Sequence, residues 1–108
     1  MELESYVTRD GVDVFRAWFA RLRDPQAKAN IQRRLDRIRA NNLGQVRPLR
    51  KGVWEIKIDV GAGYRVYYAQ AGQTIILLLC GGDKGSQDAD IDRAVGFWEE
   101  YQQRVQRF

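Results

Sequence analysis

The stretch that most restricts the fold is Gly52 to Lys84, GVWEIKIDVGAGYRVYYAQAGQTIILLLCGGDK. From Trp54 to Ile58 the residues alternate, with Trp54, Ile56 and Ile58 on one side and Val53, Glu55, Lys57 and Asp59 on the other, the period of a β-strand. After the bend Val60-Gly61-Ala62-Gly63 the alternation resumes, setting Tyr64, Val66 and Tyr68 against Arg65, Tyr67 and Ala69. A hairpin pairing Ile58 with Tyr64 puts Lys57 opposite Arg65 and Glu55 opposite Tyr67. Gln73 to Cys80 is apolar at nearly every position, as in a strand covered on both faces. Three successive antiparallel strands are therefore expected, one face apolar and aromatic, the other carrying Glu, Lys, Arg and Tyr.

Two readings of the polar face are open. A sheet can be solvated on one side, so the charges can be ordinary surface residues. Like charges directly opposite on neighbouring strands repel, however, and an anion bound between Lys57 and Arg65 would remove the conflict. The charge distribution bears on this choice. The chain has 18 basic and 14 acidic residues, a net +4. Between Lys28 and Arg65 ten basic residues face only Asp36, Glu55 and Asp59, a local +7, whereas the remainder carries −3. A basic flank of this kind suits a polyanion, with nucleic acid first among candidates; the alternative is a helix covered in solvated arginine.

Composition narrows the chemistry. At 108 residues, the chain fits a single domain, 1–108, with 44% apolar and 30% charged residues, as in folded proteins. There is no histidine, which removes Ser-His-Asp and Cys-His triads, the usual zinc sites and paired-histidine ribonuclease chemistry. Any acid or base must be Lys, Arg, Tyr, Asp or Glu; no cofactor or metal is expected. Cys80 is the only cysteine and, closing an apolar run, reads as a buried small hydrophobe. The beginning, MELESYVTRDG, lacks the apolar core of a secretory signal, and no run approaches the roughly 20 apolar residues of a membrane span. A cytoplasmic location is the expectation, with no membrane partner.

Taken in order, Glu2 to Thr8 alternates weakly and suggests an edge strand. Val12, Phe15, Phe19 and Leu22, with Trp18, fall at helical spacing after Asp10 and Asp13. Asp24-Pro25 starts a second helix, which runs to about Asn41 with Ile31, Leu35 and Ile38 as its apolar stripe and Lys28, Arg33, Arg34, Arg37 and Arg39 on its other faces. The two helices are expected as a hairpin covering Trp54, Ile56, Val66 and Tyr68. Arg47, Arg50 and Lys51 lead into the sheet, where Pro48 argues against a central strand. Gly81 to Ser86 reads as a glycine-rich loop without Walker spacing. A final amphipathic helix begins near Asp88, Asp90 and Asp92 and carries Ile91, Val95, Trp98 and Val105. The expected order is β-α-α-β-β-β-α.

With that order in hand, WEIKIDxGxGYRVYY (Trp54 to Tyr68) followed by CGGDKGSQDADIDRA (Cys80 to Ala94) resembles the HigB-like branch of the RelE/ParE toxin superfamily, often labelled addiction-module killer proteins. The resemblance spans essentially the whole chain. It implies an α+β fold, a helical hairpin packed on a curved antiparallel sheet. It also implies the toxin of a type II toxin–antitoxin module, an mRNA interferase that cuts messenger RNA on the ribosome. The expected partner is an antitoxin with a helix-turn-helix DNA-binding fold. Relatives of the ParE type instead poison DNA gyrase and cut nothing, and a non-catalytic RNA- or ribosome-binding module is a third possibility.

Metal-free RNA cleavage needs a group to accept the ribose 2′-proton, cations to neutralise the phosphorane and an acid for the leaving 5′-oxygen. Arg65 suits the phosphate because its planar fork binds two oxygens. Lys57 reads as base or second clamp, and Glu55 as the residue that orients Lys57 or as base itself. Lys84 falls where the family places a late basic residue and reads as leaving-group acid or charge stabiliser. Strand phasing puts Tyr67 on the same face, where it could stack on a base or donate a proton. Arg47, Arg50, Lys51, Arg33 and Arg37 are the expected RNA- or ribosome-binding cations. The ending Arg104-Val105-Gln106-Arg107-Phe108 offers no C-terminal catalytic residue to match the family's.

Overall fold

The computed structural model describes residues 1–106. Arg107 and Phe108, the end of the tail considered above, lie outside them. The elements are β1 (Glu2–Ser5), α1 (Val14–Arg21), α2 (Pro25–Arg39), β2 (Val46–Pro48), β3 (Val53–Ile58), β4 (Tyr64–Gln70), β5 (Ile75–Asp83), a 3-10 turn at Lys84–Ser86 and α3 (Gln87–Val105). They form an α+β fold around one five-stranded sheet of order β1-β5-β4-β3-β2. None of the described helices is long and apolar enough to cross a membrane.

Local chemistry accounts for most boundaries. The Asp13 carboxylate accepts from the Arg16 amide at 3.0 Å and starts α1. Asp24 accepts from the amides of Gln26 and Ala27 at 3.0 and 3.2 Å, with Pro25 beside it at a position whose amide would be unpaired anyway. Asn41 ends α2 with φ of 69°, a left-handed value that asparagine tolerates better than most residues.

The β3–β4 hairpin has the expected register, with Ile58 opposite Tyr64, Lys57 opposite Arg65 and Glu55 opposite Tyr67. One face of the sheet buries Ile56, Ile58, Val66, Tyr68, Ile76 and Leu78 beneath Phe15, Ile31, Leu35 and Ile38 of α1 and α2. This is the anticipated helical hairpin.

Four expectations need correction. The sheet is mixed, because β1 runs parallel to β5. A short strand, β2, joins the outer side of β3; Pro48 is tolerated because this is the sheet's edge. Val12 precedes α1 and is exposed rather than part of the helix's apolar stripe.

The fourth concerns Gly81-Gly82, which belong to β5 and not to a loop. A Cβ on Gly81 would come within 2.3 Å of the Trp18 ring, and one on Gly82 within 1.8 Å of Asp90 Oδ2. The glycines mark helices pressed onto both sides of the strand, not a bend.

Candidate functional site

The second face of the sheet is not open along its length. α3 lies over it, and Val53, Tyr67, Ala69, Leu77, Leu79 and Cys80 form a second core with Ala94 and Trp98. A register shift between Tyr67 and Tyr68 leaves Leu79 as an extra residue of β5, so Leu79 and Cys80 both join this core. Tyr67 is 0% exposed and its hydroxyl has no hydrogen-bond partner. Burial, with smaller contributions from the Glu55 and Asp90 charges, pushes this phenol far above the ordinary range. The expectation that Tyr67 stands on a solvated face able to stack on a base is therefore corrected: α3 seals it. Cys80 is likewise enclosed, and burial raises its thiol to about 12.

What remains open is the end of the β3–β4 hairpin. Glu55, Lys57 and Arg65 line one groove with Gln45, Val46, Arg47 and Gln87. Lys57 and Arg65 line a second with Lys84 and the turn Asp59 to Gly63. Lys57 also reaches a third, where it meets Asn30, Arg33, Arg34 and Arg37 of α2. The exposed Lys57 is thus the residue common to all three. The first two grooves together hold Arg47, Lys57, Arg65 and Lys84 against Glu55 and Asp59, a surplus of two positive charges.

The repulsion between the facing cations is offset by carboxylates within the chain. Lys57 Nζ lies 3.6 Å from Asp59 Oδ1, and Arg65 Nε 3.2 Å from Glu55 Oε1. Glu55, only 4% exposed, also has Arg47 Nε 3.2 Å from its Oε2 and accepts a 2.9 Å hydrogen bond on Oε1 from Gln87 Nε2. Arg65 is 8% exposed. Its Nε is buried and, despite the nearby Glu55 oxygen, lacks an aligned acceptor. Arg65 is therefore largely enclosed in the groove wall with its Nε hydrogen bond unmade, while its charge is balanced by Glu55.

Lys84 occupies the 3-10 turn rather than a glycine loop. Asp83 accepts from the Gly85 and Ser86 amides at 2.9 and 3.2 Å, and the Lys84 amide donates to the Gly63 carbonyl at 3.1 Å. These bonds tie the turn to the hairpin and hold Lys84 beside Arg65.

Arg33 and Arg37 join the site through Lys57. Arg34, half-buried beside them, donates to the Gln45 carbonyl at 2.9 Å; burial, then the Arg37 charge, lowers its pKa. Arg50 and Lys51 are not brought to the site. They precede the opposite end of β3, and Arg50 pairs with Asp92. Gln87 is the functional candidate that sequence reading missed: an amide at a helix start carries no signal until the sheet beneath it is known. No group of three or more His, Cys, Asp or Glu comes together among the described residues.

A family model described as "Phage derived protein Gp49-like (DUF891)" matches residues 17–96, a span containing all of these groove residues. A protein of Haemophilus influenzae, described only as "Uncharacterized protein", is 41% identical over 80 residues, covering 74% of this chain and 81% of the relative. No solved structure matches.

Proposed function

Because the chain belongs to the Gp49-like family of phage-derived proteins, a family related to toxin–antitoxin systems, we propose that it is the toxin of a type II module and acts as a metal-independent endoribonuclease on ribosome-bound messenger RNA. The observation that carries this reading is the placing of Lys57, Arg65 and Lys84 on one open groove, with the buried carboxylate of Glu55 beside them.

The two grooves that share Lys57 and Arg65 have between them a group for each requirement of the reaction. The ribose 2′-oxygen attacks the adjacent phosphorus, forming the P–O2′ bond and breaking P–O5′. Glu55 accepts the 2′-proton, Lys84 supplies one to the departing 5′-oxygen, and Arg65 and Lys57 hold the non-bridging oxygens as charge builds there. Arg65 suits this task because its position is set before RNA arrives, so little side-chain freedom is lost on binding. Arg33 and Arg37, reached through Lys57, continue the cationic track for the flanking phosphates, and Arg47 guards the other side. Tyr67 takes no part. The partner that silences the toxin is an antitoxin, proposed to be a helix-turn-helix protein.

Induction in cells with primer extension tests the proposal. Discrete transcript cuts are expected for the wild type, and none for Lys57→Ala or for Arg65→Lys, which keeps a cation beside Glu55 but loses the fork. Intact transcripts with growth arrest and DNA-damage signalling would overturn it in favour of a gyrase-directed toxin. Harmless overexpression would favour a binding module.

A further inference from the structure

The mismatch between Arg65 and Glu55 calls for a physical cause. A buried guanidinium N–H that lies 3.2 Å from a carboxylate oxygen would ordinarily align with it, because an unmade hydrogen bond to a buried charged group is costly. The oxygen in question, Glu55 Oε1, is the one that accepts from Gln87 Nε2 at 2.9 Å. The other oxygen, Oε2, lies toward Arg47. Arg47 and Arg65 each pair with the carboxylate at 3.2 Å, but the hydrogen bond it accepts comes from Gln87.

We infer that Gln87 is a positioning residue: by holding Oε1 from the first turn of α3, it stops Glu55 from closing on Arg65 and so keeps the Arg65 fork available to a phosphate. This inference rests on the anion site proposed above and adds its control. Without the amide, Oε1 can align with the Arg65 guanidinium while Oε2 stays toward Arg47, and Glu55 becomes an internal competitor for the incoming anion. The restraint comes from the start of a 19-residue helix whose Ala94 and Trp98 pack against Val53, Tyr67 and Ala69, so its position is fixed by the docking of α3 on the sheet.

The test uses inorganic phosphate as probe and the Arg65 Nε–Hε resonance as reporter, followed by NMR in the full-length chain. In the wild type this signal should shift on phosphate titration. In Gln87→Ala it should start downfield, as expected of a hydrogen-bonded guanidinium, and phosphate affinity should fall about tenfold, the equivalent of one charge-assisted hydrogen bond. Adding Glu55→Gln to Gln87→Ala should restore affinity, because the competing charge is gone. A merely structural role for Gln87 would produce neither the downfield start nor the rescue. If Gln87→Ala binds phosphate as the wild type does, or the double variant is no better than the single one, the inference fails while the anion site stands. If the wild-type signal ignores phosphate, the anion site itself fails and takes the inference with it.

Discussion

Replacing Tyr67 by phenylalanine should stabilise the protein, although Tyr67 lies in the same strand as Arg65. Its ring is wholly buried between β4 and α3, and its hydroxyl has no acceptor. A buried polar group without a partner costs about 1–3 kcal/mol relative to its hydrated state in the unfolded chain. Removing one oxygen leaves a void of roughly 10 Å³, which at about 24 cal/mol per Å³ returns only a few tenths of a kcal/mol. The net expectation is a gain of about 1 kcal/mol, or a rise in melting temperature of about 4 °C for a domain of this size. Urea and thermal unfolding at pH 7 read the change, with Tyr6→Phe as the contrast. The Tyr6 hydroxyl donates to Glu100 at 2.6 Å, so that variant should lose stability. On the function proposed above, Tyr67→Phe should also arrest growth as fully as the wild type. A destabilised Tyr67→Phe would mean that the hydroxyl has a partner within the core, and a folded but harmless one would return the phenol to the reaction.

Other perturbations probe different parts of the fold. Gly81→Ala should destabilise by several kcal/mol in a denaturant titration, since its Cβ would enter the Trp18 ring and force that ring or α1 off the sheet. Raising the pH should weaken the fold between about 9 and 12: burial lifts the folded pKa values of Cys80, Tyr6 and Tyr68 to about 12 from 9.0, 10.0 and 10.0. Their stabilising effect is complete below the unfolded values and disappears as the pH climbs through the folded ones, so the urea midpoint should fall from pH 8 to pH 11. On the acid side, hydrogen bonds from Arg104, then Tyr6, hold Glu100 down to about 2; its contribution is present above about 4.5 and is lost on descent toward pH 2. Arg104→Ala should flatten that part of the acid titration curve.

The strand period of Trp54 to Tyr68 and the bend between its halves were enough to place Lys57 opposite Arg65 and Glu55 opposite Tyr67, because side-chain alternation and hairpin register are local properties. The Asp-Pro start of α2 and the apolar stripe that buries Ile31, Leu35 and Ile38 were legible for the same reason. Alternation states which residues share a face but not what lies over it. Only the packing of α3 divided the polar face into a sealed half, holding Tyr67, and an open half, holding Lys57. The same packing turned the glycines of β5 from an apparent loop into points of close contact. It also brought Gln87 to Glu55, 32 positions away in the chain, a meeting that no local pattern encodes because it depends on where a helix comes to rest.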